Sequence, residues 1–467
     1  MMRLALSCFT LGLALSSSTA GDWPQFRGPA GSGVADDQKP PVKFGPKENL
    51  AWKVAVPPGA SSPIVVGDKL ILTAFENDKL YTICYSTADG KELWRADAKA
   101  KQIEAFHPIH GSPAASTPAS DGKSVVSYFG SCGLICYDLA GKELWRFELP
   151  TAVTNNEFGT GVSPVLADGL VLLARDLSKD SAVYAVDLAT GSQKWKTDRK
   201  AFTSYSTPLV WADGDAKVLA VPGARTLTGY DLKTGKELWT LDKMSAVACT
   251  TPVAYKGALV YSGWAPGGAD FKMPTFEEIL QAAGDEKLGY LSKAGAAKTF
   301  FKDFFDNNDP NKDGKVTREE WELNLKALAG GENRAVALKP GAKPELAWSY
   351  AKGLPYVPSP IVYRDRFYLF KDGPQMTCLD AATGKPVYEG ERVKAGPMVY
   401  ASPVAANGHL YLAGLDGTVA VVAAGEDAPD VVHSVKLAEP VRATPAIAHD
   451  TLYVRSDKFL YAFRAGK

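Results

Sequence analysis

The chain is patterned almost throughout as short apolar runs broken by turns. Eight times a Ser-Pro or Thr-Pro step leads into an apolar strand, a turn and a second apolar strand. The units read SPIVVGDKLIL from Ser62, STPASDGKSVV from Ser116, SPVLADGLVLL from Ser163 and TPLVWADGDAKVLAV from Thr207. They continue as TPVAYKGALVY from Thr251, SPIVYRDRFYL from Ser359, SPVAANGHLYL from Ser402 and TPAIAHDTLYV from Thr444. Their prolines are mostly about 42–46 residues apart, the repeat length of a four-stranded propeller blade. The interval from Pro252 to Pro360 is more than twice as long.

A second pattern, Asp-x-x-Thr-Gly-x-x-x-Trp, closes the units. It reads DLATGSQKW from Asp187, DLKTGKELW from Asp231 and DAATGKPVY from Asp380, with worn forms STADGKELW from Ser86 and DLAGKELW from Asp138. The Asp or Ser caps a turn, the Gly takes a positive φ and the aromatic residue begins to wedge between neighbouring sheets. Each unit is therefore four strands, with one face that a single sheet cannot bury. Stacking the units in a ring solves this. The last unit ends at FLYAFRAGK without a Trp strand, and ENLAWKVAV, with Trp52, precedes the first. The expected fold is all-β: an eight-bladed propeller of four-stranded blades, closed by its N-terminal strand.

The long interval breaks the period-2 rhythm. PTFEEILQAA has Thr275 and Glu278 at capping-box spacing ahead of a helical apolar pattern. KTFFKDFF predicts a second helix with Phe300, Phe301, Phe304 and Phe305 on one face. DPNKDGKVTREE follows, and then WELNLKALAGG, with Trp321, Leu325 and Leu328 on a face and Gly330 as a stop. Helix, twelve-residue loop and helix is the EF-hand arrangement. Asp309, Asn311 and Asp313 stand at loop positions 1, 3 and 5, with Gly314 at 6. The Lys315 carbonyl falls at 7, Val316 at 8, Thr317 (through a water) at 9 and Glu320 at 12. Hard oxygen ligands at these spacings suit Ca²⁺, with an affinity of about 10⁻⁵–10⁻³ M, as in extracellular modules. Upstream, GDEKLGYLSKAG (284–295) aligns as a worn partner, with Gly289 at 6 and Leu291 at 8, but Gly284 and Gly295 where the end carboxylates belong. Strand patterning resumes at ELAWSY.

The expected organisation is a signal peptide over 1–20, an N-terminal extension over 21–48 and a first propeller part over 49–268. An insertion over 269–335 (worn hand 276–296, calcium hand 297–330) precedes a second propeller part over 336–467. The leader MMRLALSCFTLGLALSSSTA has Arg3, an apolar run and small residues ending at Ala20, which predicts export. Ala5-Leu6-Ser7 before Cys8 fit a lipid-attachment signal poorly. The mature chain is expected to be soluble, in the periplasm or outside the cell, and monomeric, with no transmembrane segment. Charge balances at 52 basic and 52 acidic residues, which argues against a nucleic-acid partner. Cys84, Cys136 and Cys378 share one repeat position with Ala185 and Gly229, so they read as small buried side chains. Cys132 and Cys136 would lie about 13 Å apart on one strand, too far for a bond, unless a turn at Gly133 brings them closer.

The Asp-x-x-Thr-Gly-x-x-x-Trp repeat resembles the tryptophan-docking motif of pyrroloquinoline quinone (PQQ) repeat propellers. That family includes quinoprotein alcohol dehydrogenases and the outer-membrane assembly lipoprotein BamB. DWPQFRGPAGSGV from Asp22 and HPIHGSPAASTPASDGKSVVSYFGSCGLICYDLAGKELW from His107 resemble its secreted bacterial members. The resemblance implies two alternatives. A PQQ-dependent dehydrogenase of alcohols or sugars needs a funnel calcium, a catalytic Asp and, in many members, a vicinal Cys-Cys pair. This sequence has no such pair and no assignable ligand set, so PQQ binding is not expected. The other alternative is a binding scaffold of the cell envelope. Its partner, protein or glycan, would meet the channel-mouth loops: EAFHPIHGSPAAS, TNNEFGTGV and the residues Tyr205, Tyr356, Tyr400 and Arg442. His107 and His110 flank a proline with no third ligand in view, so they read as a polar loop. No catalytic residue is assigned.

Overall fold

The computed structural model describes residues 21–466 apart from 214–215, 267–272, 307, 310–311, 329, 342, 372 and 374. The predicted leader therefore lies outside the described residues, as does Asn311.

Eight four-stranded antiparallel sheets form the ring. Blade 1 runs Ile64–Val66, Lys69–Glu76, Lys79–Ser86 and Glu92–Asp97, and the later blades repeat this meander. Blade 8 takes three strands from the C-terminus and its fourth from Leu50–Ala55, which pairs with Phe459–Arg464. The N-terminal strand thus closes the ring, as the orphan Trp52 predicts.

The Ser/Thr-Pro repeat has a physical reason. The residue before each proline is held extended, and at six of the eight its hydroxyl accepts the matching amide of the preceding blade. Ser62 N donates to Thr117 Oγ1, Thr117 N to Ser163 Oγ and Ser163 N to Thr207 Oγ1, all at 3.0 Å. Thr251 N, Ser359 N and Ser402 N continue the series to Ser359, Ser402 and Thr444 at 2.9–3.0 Å. These buried bonds lace the inner strands around the channel.

The outer rim is laced by tryptophan. Trp52, Trp94, Trp145, Trp195 and Trp348 donate Nε1 to the carbonyls of Thr87, Leu139, Leu188, Leu232 and Ala381 in the next blade, at 2.9–3.1 Å. Directly across its own sheet each aromatic faces a small residue: Cys84 opposite Trp94, Cys136 opposite Trp145, Ala185 opposite Trp195, Gly229 opposite Trp239 and Cys378 opposite Tyr388. The three cysteines are wholly buried there. All five cysteines among the described residues lie outside any disulfide, Cys132 and Cys136 included.

Blade 5 is interrupted between its second strand, Ala258–Gly263, and its third, Arg334–Lys339. The third strand, RAVALK, precedes ELAWSY, the fourth strand, at which strand patterning was expected to resume. Between the second and third strands lie helix α1 (Phe276–Ala283), the short α2 (Lys293–Ala296) and α3 (Arg318–Leu328). Thr275 and Glu278 form the expected reciprocal capping box. KTFFKDFF departs from expectation: it forms a single 3₁₀ turn, Lys302–Phe304, rather than an α-helix. The Thr299 hydroxyl accepts the Phe301 amide at 3.1 Å and donates to Ala296 O, a local bond that competes with the helical ladder. Phe301 and Phe305 are buried, but Phe300 is exposed.

Candidate functional site: the channel mouth and the inserted loop

In each meander the links between strands two and three, and from one blade to the next, fall on the same face. The insertion therefore emerges on the face where the blade-to-blade loops gather. The opposite face is crossed by residues 22–38. Trp23 bridges to Val65, Ser120 N donates to Pro24 O, and Arg27 donates to Pro360 O at 2.6 Å. Ala35 N then donates to Ala405 O, Ala405 N donates to Gly33 O, and Gln38 accepts from Asp450 N. This segment floors the channel, and Phe26 projects into it.

Above the floor is a cavity of about 290 Å³. All eight hydroxyl-bearing residues that precede the prolines line it: Ser62, Thr117, Ser163, Thr207, Thr251, Ser359, Ser402 and Thr444. Around its mouth stand His110, Phe158, Tyr205, Tyr356, Tyr400 and Arg442. Each is a residue, or lies in a loop, that the sequence pointed to. His110 Nδ1 and the Tyr400 hydroxyl are 3.1 Å apart. A chain of rings continues from Tyr400 through His110 and His107 to Phe158 and Tyr205, with centroids 4.8–6.3 Å apart. His107 stands behind this wall, its Nδ1 accepting the amides of Ile109 and His110 at 3.2 Å. It shapes the loop. Arg442 pairs with Asp457 and donates to Ile109 O.

Three features of the site escaped the sequence reading. Phe304 of the insertion and Cys249 both line the cavity. Neither lies in a repeat-pattern loop singled out beforehand, and Phe304 ends the 3₁₀ turn that stands where a helix was expected. The third is that Glu104, the first residue of the loop EAFHPIHGSPAAS, is a buried carboxylate behind the mouth. It accepts Thr160 N at 3.1 Å and Thr160 Oγ1 at 2.8 Å, and its own amide donates to Ser131 Oγ. Burial pushes its pKa up to about 7, against the lowering effect of the Thr160 bonds. It joins the loop that carries His110 to the loop that carries Phe158.

The donor chemistry of the cavity decides which groups it can hold. Among the described residues its lining contains no Asp, Glu, Asn or Gln. A calcium ion beside a quinone needs carboxylate or amide oxygens, so these residues do not fit that pair.

The inserted loop is organised around its own carboxylates. Asp309, nearly buried, accepts the amides of Asp313 and Gly314 at 3.1 and 2.8 Å. Asp313 accepts Lys315 N at 2.9 Å. Glu320 accepts Thr317 N and Oγ1 at 2.8 and 2.9 Å, capping α3. Glu320 thus faces its own helix start, and among the described residues no three His, Cys, Asp or Glu side chains converge as a metal group. Lys315–Val316 pairs antiparallel with Leu291–Ser292, setting Val316 opposite Leu291. In the upstream loop Asp285 accepts Ser292 N and Oγ at 2.7 and 2.8 Å. A Cβ on Gly295 would fall 2.0 Å from that carboxylate, so glycine at the loop's end makes room for Asp285.

The comparisons with known proteins agree with this architecture. The sequence family described as outer membrane protein assembly factor BamB matches residues 83–254. No curated protein matches the chain. Among solved structures, BamB from Moraxella catarrhalis is similar at 12% identity and a TM-score of 0.54, covering 88% of this chain and 97% of that one. The quinohemoprotein alcohol dehydrogenase from Comamonas testosteroni is similar at 12% identity and a TM-score of 0.57, covering 97% of this chain and 82% of that one. The computationally designed Ika8 protein reaches a TM-score of 0.57 at 10% identity, covering 89% of this chain and 99% of that one. At these identities the likeness is one of fold. No helix among the described residues is long and apolar enough to cross a membrane.

Proposed function

Because the chain is a β-propeller of the PQQ-repeat type, we propose that it works as an exported binding scaffold, with a protein partner at the channel mouth and Ca²⁺ held by the insertion as an EF-hand. The observation that carries the scaffold reading is the cavity lining, which is aromatic and hydroxylic and has no carboxylate or carboxamide among the described residues. Such a lining receives an apolar side chain and offers a dehydrogenase no carboxylate or carboxamide oxygen with which to hold calcium beside a quinone. The surrounding face supports a protein partner over a glycan. Ile109, Val153, Phe202 and Met398, each on a blade-to-blade loop, and Phe300 of the insertion are exposed there. Exposed apolar and aromatic side chains on one face are the usual anchors of protein interfaces.

The calcium reading is supported by the pairing of Val316 with Leu291, which joins position 8 of the two aligned loops. The ligands would be Asp309, Asp313, the Lys315 carbonyl, Thr317 through a water and Glu320, with Asn311 from the sequence. Bound calcium supplies a cross-link between loop and helix α3.

The test is a titration of the mature protein with PQQ in excess calcium. Quinone absorbance and dye reduction with simple alcohols and sugars are followed, and calcium binding is measured by calorimetry. The expected result is one calcium site that Glu320→Gln weakens and no dye reduction. Glutamine keeps the α3 cap but loses the bidentate carboxylate. Saturable PQQ binding with turnover would replace the scaffold by a dehydrogenase.

A further inference from the structure

One side chain connects the two sites. Phe304 belongs to the insertion, yet it lines the channel cavity. Its neighbours Phe301 and Phe305 are buried in the insertion's own core, with Trp321 edge-on to Phe301 at 4.8 Å between ring centres. Phe304 is the ring of this turn that is only partly buried in that core. It therefore reaches the mouth from a packed base.

The turn is coupled to the calcium loop at both ends. Asn308 Nδ2 donates to Phe304 O at 2.8 Å, and the next residue, Asp309, holds the amides of Asp313 and Gly314. At the far end of the loop, Glu320 caps the helix whose Trp321 packs on Phe301. An ion bound by Asp309, Asp313 and Glu320 would tie the start of the loop to the start of α3, through carboxylates whose remaining lone pairs can keep the Asp313 and Gly314 amides. Its occupancy acts on the residues that flank Phe304. A ligand shifts a conformational equilibrium by its differential affinity for the two states, and here both flanks of the turn sense the same ion.

We propose that the insertion is a calcium-dependent lid on the channel and that Phe304 is the side chain that closes it. This rests on the calcium reading above. With calcium the turn is held and the mouth is narrowed. Without calcium the turn loosens and the cavity opens. By reciprocity, a group that enters the cavity and displaces Phe304 weakens calcium binding by the same factor.

Cys249 lines the cavity and is partly exposed, so it reports access. The experiment uses the whole mature chain carrying Cys132→Ser, since Cys132 is the other partly exposed cysteine and Cys84, Cys136 and Cys378 are buried. Modification of Cys249 by methyl methanethiosulfonate is timed by mass spectrometry in saturating calcium and in chelator. Calcium binding is measured on the same samples by calorimetry. The expected result is that calcium slows modification roughly fivefold or more, in the range of ordinary coupling between sites. Phe304→Ala reacts fast in both conditions while still binding calcium, and Phe304→Leu falls between. If calcium binds and the rate does not change, the lid is wrong and the calcium reading stands. If calcium does not bind, both fall. Equal rates in Phe304→Ala and the parent also overturn the lid.

Discussion

The turn glycines of the repeat show how one position carries two constraints. Gly191 has φ +73°, and a Cβ there would lie 2.7 Å from the Trp145 ring of the preceding blade. Gly169 has nearly the same backbone, φ +74°, but nothing lies within 4 Å of its Cβ position. Alanine at Gly169 should therefore cost only the left-handed strain, about 1–2 kcal/mol. Alanine at Gly191 should cost that plus a displaced tryptophan, about 2–5 kcal/mol in all. Denaturation midpoints of the two variants check this, and equal losses would mean that the tryptophan yields without cost. The glycine and the tryptophan were both legible in the sequence. Their contact was not, because they sit on different blades and no local spacing records it.

Glu104 matters at the scale of elements, because it ties two mouth loops that are remote in sequence. Its folded pKa of about 7 lies above the ordinary glutamate value of 4.5. The folded state therefore holds this proton more tightly than the unfolded chain does. The resulting stabilisation is fully present below about pH 4.5 and is lost as pH rises through about 7. Glu104→Gln should flatten the pH dependence of the melting temperature across this window, while Glu157→Gln, exposed on the neighbouring loop that carries Phe158, should not. An unchanged profile in Glu104→Gln would show that the group is not protonated in the fold. The sequence places Glu104 at the start of a mouth loop but does not mark it as buried, since its burial comes from packing against Thr160 and Ser131. The insertion shows the opposite balance. Its capping box, its loop and α3 were readable from spacing, whereas KTFFKDFF was not, because Thr299 diverts a backbone amide that periodicity takes for granted.

For the whole molecule, closure is the controlling event. Between blades 8 and 1, Arg455 is fully buried and donates to Ser61 O, Ser61 Oγ, Thr73 O and Pro57 O. Burial lowers its pKa to about 10, which leaves it charged at neutral pH. Trp52 adds the outer bond to Thr87. This is the junction that no covalent link between consecutive blades spans. Trp52→Ala and Trp145→Ala remove equivalent rings, each at about 3–5 kcal/mol. Only Trp52→Ala should also free the ends of the ring, seen as hydrogen exchange that quickens in blades 1 and 8 together. Exchange confined to one blade would show that the strand Leu50–Ala55 is not needed to hold the ring shut.

The sequence by itself determined the blade count, the ring closure, the place of the insertion and the six mouth residues. All of these follow from a repeat whose period is written in local chemistry: hydroxyl before proline, glycine in the turn, aromatic in the outer strand. The tertiary structure decided what the repeat cannot encode. It brought Phe304, Cys249 and Phe26 to one cavity from an insertion, a loop and an N-terminal strap, and it buried Glu104 between loops. Those placements depend on which surfaces meet when the ring closes, a property of the assembled shape that no stretch of the chain carries alone.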